Sequence, residues 1–281
     1  MKKAPAPPKH KRPRLAALDM TLKMDENVYA RELSRVQERL RLIQHAYLKS
    51  GHSAAIIFEG WDAAGKGGTI RCMSAVLDPR GFKVWPISAP RKYYLERHYL
   101  ARFFERLPPQ GAISVFDRSW YGRVLVERIE GLASDSDWRR AYQEINEFER
   151  MLTDHGTRVV KIFLHITPEE QLRRFRERVL NPMKRWKLSF EDFRNRHKWK
   201  AYEEATDSMF CETSTSYAPW HAISANSKKY ARVTALKVIA ERLSSGVDLA
   251  PAELSQEVMR EAQQLLDIDP NLLMGGQRRI D

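Results

Sequence analysis

Five short, nearly unbroken apolar runs alternate along the chain with longer stretches whose apolar residues recur every three or four positions. The runs are Ala54–Phe58, Phe82–Ile87, Ile113–Phe116, Val159–Ile166 and Trp220–Ala225, and each has the length of a strand. The spacing between them predicts helices over Asn27–Lys49, Lys66–Leu77, Tyr93–Phe104, Trp138–His155, Pro168–Val179, part of Phe190–Phe210 and Tyr230–Leu243. The first helix places Leu33, Val36, Leu40, Ile43 and Tyr47 on one face, with Gly51 as its C-cap. Strands that are apolar throughout and separated by helices belong to a parallel sheet covered on both faces. The expected fold is α/β, a three-layer α/β/α sandwich with a five-stranded parallel sheet and ligands at the C-terminal strand ends.

The first strand runs directly into Gly60-Trp61-Asp62-Ala63-Ala64-Gly65-Lys66-Gly67-Gly68, which has the GxxxxGK spacing of a phosphate-binding loop. Glycines let successive N–H groups turn toward phosphate oxygens, the following helix offers its positive end, and Lys66 adds a mobile cation. Ala63, Ala64, Gly65, Gly67, Gly68 and Thr69 are the candidate phosphate contacts. The position after the lysine, where a Ser or Thr hydroxyl usually holds Mg²⁺, is Gly67. Asp62 lies inside the loop instead, and a carboxylate beside phosphates needs a cation between them. The pattern reads as a phosphoryl-transfer enzyme with an altered metal arrangement; a glycine-rich turn with a stray lysine is the bland alternative.

Two further segments carry chemistry. The third strand ends in Asp117-Arg118, where an aspartate of a P-loop enzyme faces the phosphates and holds Mg²⁺. Asp62 and Asp117 together make a hard-oxygen site suited to Mg²⁺, with Mn²⁺ as a substitute. Arg118 is placed to grip a substrate phosphate, and Arg123 to extend that cationic path. Leu172–Lys200 holds eleven Lys/Arg against three acids, with Phe175, Trp186, Phe190, Phe193 and Trp199 interleaved. Asn181-Pro182 interrupts it, which points to a hinged helical lid over about 178–200. Within the lid Arg178 is expected to reach the reaction centre and Lys184 and Lys187 to bind phosphate.

Bulk composition narrows the setting. The 281 residues suit one catalytic domain, here 25–244, flanked by a basic arm (1–24) and a C-terminal helical extension and tail (245–281). Residues 1–14 hold six Lys/Arg, four prolines and no acid, so they read as disordered. The formal charge of +12 draws polyanions and does not by itself choose among nucleic acid, nucleotide, anionic membrane and polyphosphate. Two cysteines and no long apolar run fit a cytoplasmic protein without a membrane partner. Pro251–Asp267 reads as one helix, and Gly275–Arg279 as mobile.

Four motifs occur together that resemble the polyphosphate kinase 2 family. They are Glu59–Ile70, Phe116-Asp117-Arg118-Ser119-Trp120-Tyr121, Asn181–Lys187, and Tyr217-Ala218-Pro219-Trp220 followed by Ala225–Arg232. The resemblance covers about residues 25–243. It implies a P-loop kinase-like fold with a lid, and phosphoryl transfer between inorganic polyphosphate and a purine nucleotide. It also implies Mg²⁺ held by Asp62 and Asp117, Lys66 on the transferring phosphates, and Arg118 and Arg178 neutralising charge in the transition state. A homodimer or homotetramer is implied too. The wording of the first two motifs is nearer the members that use nucleoside diphosphates; a monophosphate acceptor is the alternative. Two rivals stand beside this reading. One is an ATP-dependent nucleoside monophosphate kinase of the thymidylate kinase type, which Gly67-Gly68 disfavours. The other is a nucleic-acid-binding module, which leaves Asp62 beside Lys66 unexplained, so no specific nucleic acid is expected.

Overall fold

All five expected strands form, and they lie in one parallel sheet of order β2-β3-β1-β4-β5. The computed structural model describes residues 12–250 and 254–266. The strands are β1 (Ser53–Gly60), β2 (Phe82–Pro86), β3 (Ile113–Asp117), β4 (Thr157–His165) and β5 (Trp220–Ser224). The helices are α1 (Glu26–Ser50), α2 (Lys66–Ser74), α3 (Lys92–Leu95), α4 (Ala101–Phe104), α5 (Val126–Ile129) and α6 (Asp135–Asp154). They continue with α7 (Pro168–Leu180), α8 (Phe190–His197), α9 (Trp199–Thr213), α10 (Lys228–Ser244) and α11 (Gln256–Leu266). The chain divides into two compact units at Leu249/Ala250, and the whole sheet belongs to the first. The second unit carries α11, inside the stretch expected to be helical; residues 251–253 and 267–281, with Gly275–Arg279, lie outside the described residues.

The sheet is sandwiched because its strands are apolar on both faces. Every residue of β1 from Ser53 to Glu59 is buried. Helices α1, α2 and α10 form one covering layer and α6 and α9 the other. Across the first layer the phenol of Tyr47 on α1 donates to the Leu243 carbonyl of α10 at 3.0 Å. Gly51 ends α1 at φ 75°, as its C-cap role requires.

One buried position breaks the apolar pattern. Lys161, in the middle of β4, has no exposed surface. Its ammonium donates to Glu149 of α6 at 2.7 Å, to the Tyr121 hydroxyl at 2.8 Å and to the Thr213 carbonyl at 2.7 Å. Glu149 also accepts from the Trp120 indole at 3.1 Å and from Tyr121 at 2.7 Å. This closed network locks the Trp120-Tyr121 turn just beyond Asp117-Arg118, so part of that motif is devoted to holding its own end of the sheet.

Two expectations change. The single helix over Tyr93–Phe104 is two short turns, α3 and α4. The break lets Phe103 enter an aromatic cluster with Phe116 and Trp120, while Tyr93 and Leu95 stay on the surface. Residues 1–11 of the expected disordered arm lie outside the described residues, but the stretch from Arg12 to Met20 touches the domain. Leu15 is buried and its N–H donates to Asp207 of α9 at 3.1 Å, and the Met20 carbonyl accepts from Asn226 at 3.3 Å.

Candidate active site

The glycine loop leaves the C-terminal end of β1, the central strand. Gly60 holds φ 137°, and a Cβ there would lie 2.3 Å from the Leu164 carbonyl oxygen of β4, so only glycine lets the loop start this close to its neighbour. Ala63 follows at φ 64°, a strained conformation for a residue with a side chain. Gly65 then turns the chain into α2, whose first amides have no partner within the helix and open onto a cleft of about 730 Å³.

Register brings the second carboxylate to the same place. Phe58 of β1 lies opposite Asp117 of β3, and the Arg118 N–H donates to the Phe58 carbonyl at 3.0 Å. A Cβ on Gly67 would sit 4.0 Å from Asp117 Oδ2, so Asp117 stands beside the N-terminal turn of α2. Arg118 is the second side-chain-bearing residue with positive φ, 65°. That turn aims its guanidinium at Asp62, where Nη2 donates to Oδ1 at 2.8 Å. The other oxygen of Asp62 accepts from Asn195 of α8 at 2.9 Å. Lys66 donates to the carbonyls of Gly60 and Trp61 at 2.6 and 3.2 Å, and burial lowers its proton affinity; Arg118 adds to that shift while Asp62, Asp117 and Glu59 oppose it.

The structure brings most of the expected residues together. Asp62, Ala63, Ala64, Gly65, Lys66, Gly67, Gly68, Asp117, Arg118, Arg178, Lys184 and Lys187 all border the one cleft. Arg178 is held within the lid, its Nη1 donating to the Lys187 carbonyl at 2.9 Å. Ala64 contributes a turn more than a donor, because its N–H is already committed to the Trp61 carbonyl at 3.0 Å. Two expectations are corrected. Thr69 is buried with its hydroxyl on the Gly65 carbonyl at 3.2 Å, because its helical position turns it into the core. Arg123 does not line this cleft; it lies over the Tyr99 ring and pairs with Glu127 at 3.2 Å, one helical turn away.

Four contributors were not assigned roles from the sequence. Arg71, Lys228 and Arg232 also border the cleft, and with Arg174 they bring its cationic side chains to nine against four carboxylates. The fourth is Arg174, which is buried and donates to the carbonyls of Ala63, Ala64, Ala225 and Asn226 at 2.6–3.0 Å and to Glu170 at 2.6 Å. It bolts the outer wall of the loop to the segment after β5. Lys228 and Arg232 fall in the motif quoted above for residues 225–232. Arg174 had only a basic segment to signal it.

The segment expected to form a lid folds after α7 as a 3₁₀ turn followed by α8. Asn181 caps the 3₁₀ turn Pro182–Lys187, and Ser189 with Asp192 makes a capping box at the start of α8. Its root is fixed by Trp199, whose ring stacks on Trp61 of the loop at 3.6 Å and 4°. The Trp61 indole in turn donates to His165 Nδ1 at 2.8 Å. Burial, opposed by Asp207, brings the His165 pKa down to about 4. Between that value and the ordinary 6.5 the unfolded chain binds the extra proton and the folded one does not, so stability is complete above pH 6.5 and falls as the pH drops toward 4. The loss is about 3 kcal/mol. Denaturation midpoints measured from pH 7 to 4 should therefore fall less steeply in His165→Gln than in the parent; equal slopes would refute the assignment.

The two carboxylates fit a divalent cation of the Mg²⁺ type. Among the described residues no three His, Cys, Asp or Glu side chains cluster as a metal cage. Mg²⁺ commonly takes one or two carboxylates and completes its shell with water and substrate phosphate, which is what Asp62 and Asp117 beside a phosphate cradle allow.

A parallel sheet of this order, with the glycine loop after the central strand and an acidic residue ending its neighbour, defines a P-loop kinase fold. The sequence profile described as Polyphosphate kinase 2 (PPK2) matches residues 23–248, and the chain belongs to that family. A polyphosphate:AMP phosphotransferase of Pseudomonas syringae pv. tomato is 48% identical over 229 residues, 82% of this chain and 46% of that protein. An AMP/ADP-polyphosphate phosphotransferase of Meiothermus ruber is 39% identical over 216 residues, 77% of this chain and 79% of that protein. The crystal structure of polyphosphate kinase 2 from Arthrobacter aurescens superposes with a TM-score of 0.83 at 31% identity, covering 90% of this chain and 93% of that one. The chain thus spans about half the length of the Pseudomonas relative and most of the other two.

Proposed function

We propose that this protein transfers a phosphoryl group reversibly between inorganic polyphosphate and a nucleotide, with a nucleoside diphosphate such as ADP or GDP as acceptor. The observation that carries the reading is a phosphate loop with its own carboxylate, Asp62, sharing with Asp117 a cleft lined by nine cationic side chains. That much positive charge exceeds what one nucleotide needs and suits a long polyanion. The cations come from the loop, the lid and α10, so the cleft offers a track rather than a point.

The chemistry follows from the residues. A terminal oxygen of the acceptor phosphate attacks the end phosphorus of the chain in line. The new P–O bond forms as the bond to the next bridging oxygen breaks, and polyphosphate leaves one unit shorter. The attacking oxygen is already ionised, so no general base is required. Lys66 and the amides of the loop and α2 hold the transferring group, and Arg118 and Arg178 absorb charge spread over its equatorial oxygens. Arg118 must exchange Asp62 for phosphate to do so. Mg²⁺ held by Asp62 and Asp117 would neutralise the phosphate oxygens between donor and acceptor. The lid shields the group from water.

A monophosphate acceptor is the second reading, favoured by the AMP specificity in the name of the relative that is 48% identical. Purified protein with Mg²⁺ and long-chain polyphosphate should convert ADP or GDP to the triphosphate, with products resolved by chromatography. ADP formed from AMP at the higher kcat/KM would select the second reading. Transfer from ATP to dTMP, with none from polyphosphate, would defeat both.

A further inference from the structure

Beyond the end of β2 the chain passes Asp117 and enters a second basic pocket that shares no lining residue with the cleft. Pro86 lies opposite Asp117 in the sheet register, and the Ile87 N–H donates to the Asp117 carbonyl at 3.0 Å. From there Ser88–Arg91 form one wall, and Arg102 and Arg106 from α4 and its C-terminal flank the other, around about 230 Å³. Arg102 is anchored, its Nη1 donating to the Ser88 carbonyl at 2.8 Å. Arg106 lies 5.5 Å from the Trp85 and Tyr94 rings, which hold it on the pocket side.

We infer that this pocket is a second phosphoanion subsite, which takes the non-reacting phosphates of a substrate whose reacting end lies at Asp117 and Arg118. The inference rests on the phosphotransferase reading above. Three guanidiniums converge here with little negative charge to answer them. Glu105 accepts from Tyr94 and stands 3.8 Å from Arg106, and Glu127 is paired with Arg123. Guanidinium forks match phosphate oxygens in pairs, which makes this lining apt for a phosphoanion. Position supplies the second argument. β3 lies between β1 and β2, so Asp117 and Arg118 stand between the glycine loop and the arginine pocket. At about 4.8 Å per strand the two anion sites are on the order of 10 Å apart, a span that a nucleotide or a run of phosphates covers.

The nucleotide and the polyphosphate chain offer the same chemistry, and the test separates them. Arg102→Gln, Arg106→Gln and the double variant are compared with the parent for binding of ADP, long-chain polyphosphate and tripolyphosphate, each alone, and for steady-state kinetics. We expect the double variant to weaken one ligand by about tenfold or more. The rise in KM for that substrate should exceed any fall in kcat. A loss confined to ADP makes the pocket the acceptor's; a loss larger for long chains than for tripolyphosphate makes it the chain's. Unchanged affinity for all three ligands overturns the inference. Arg102→Lys keeps charge while removing the fork, and Arg106→Gln leaves the Ser88 anchor in place, so a folding defect in one variant does not end the test. Failure of the parent to transfer phosphate from polyphosphate would refute the functional reading, while the binding comparison still decides the pocket.

Discussion

Asp117→Asn is expected to leave the protein folded and to slow phosphoryl transfer by about a hundred- to a thousandfold. The strand end it occupies is held through the backbone, by pairing with Phe58 on one side and Pro86 on the other, and an amide of the same shape leaves those ladders intact. What disappears is one negative charge beside the first turn of α2, where Gly67 leaves room for the carboxylate and the residue after the lysine supplies no hydroxyl. With Asp62 already occupied by Arg118 and Asn195, Asp117 is the less encumbered of the two carboxylates that border the glycine loop. The variant should melt within about 2 °C of the parent, and its residual rate should require more Mg²⁺ to saturate. Parent-like turnover at low Mg²⁺ would remove Asp117 from the site.

The largest structural effect is expected at Arg174. Arg174→Ala leaves four carbonyls of the loop and the post-β5 segment without their donor and Glu170 without its buried partner. Breaking such a buried arrangement costs about 3–5 kcal/mol, roughly 6–20 °C in melting temperature for a domain of this size. Transfer should fall with stability, because Ala63 sits at a strained positive φ that the surrounding contacts must enforce. Arg174→Lys should recover only part of both losses, since one ammonium cannot reach acceptors spread on two sides of a planar fork. An Arg174→Ala protein that melts and turns over like the parent would show that the loop holds its shape without this bolt.

These two residues mark different degrees of legibility. Asp117 could be read because an apolar run ending in Asp-Arg after a glycine loop has a spacing that the chemistry itself demands. Arg174 could not, because nothing in a basic helical stretch says which arginine turns inward. The same reasoning separates Arg178 from Arg123. The first was expected at the cleft and borders it; the second, equally basic and close to the Asp117 motif, is drawn off by Tyr99 and Glu127. Thr69 was misread for a related reason, since its neighbours Gly67 and Gly68 border the cleft and a helix turns the next residue toward the core. Lys161 shows how far a partner can override a pattern: its strand was recognised from the apolar residues around it, yet the lysine stays buried because Glu149, twelve residues away on another element, meets it.

By itself the sequence determined the five strands, the glycine loop, the two carboxylates and the break in the lid. Each depends on local properties: apolar runs of strand length, backbone freedom at glycine, and a proline that cannot continue a helix. Tertiary structure decided the rest. It set the strand order that puts β3 beside β1 and so Asp117 beside the loop. It also chose which of many cations face the cleft, and tied Asp62 to Arg118 and Asn195. Those outcomes depend on contacts between residues far apart in the chain, and the direction of a charged side chain is fixed by the partner it finds there.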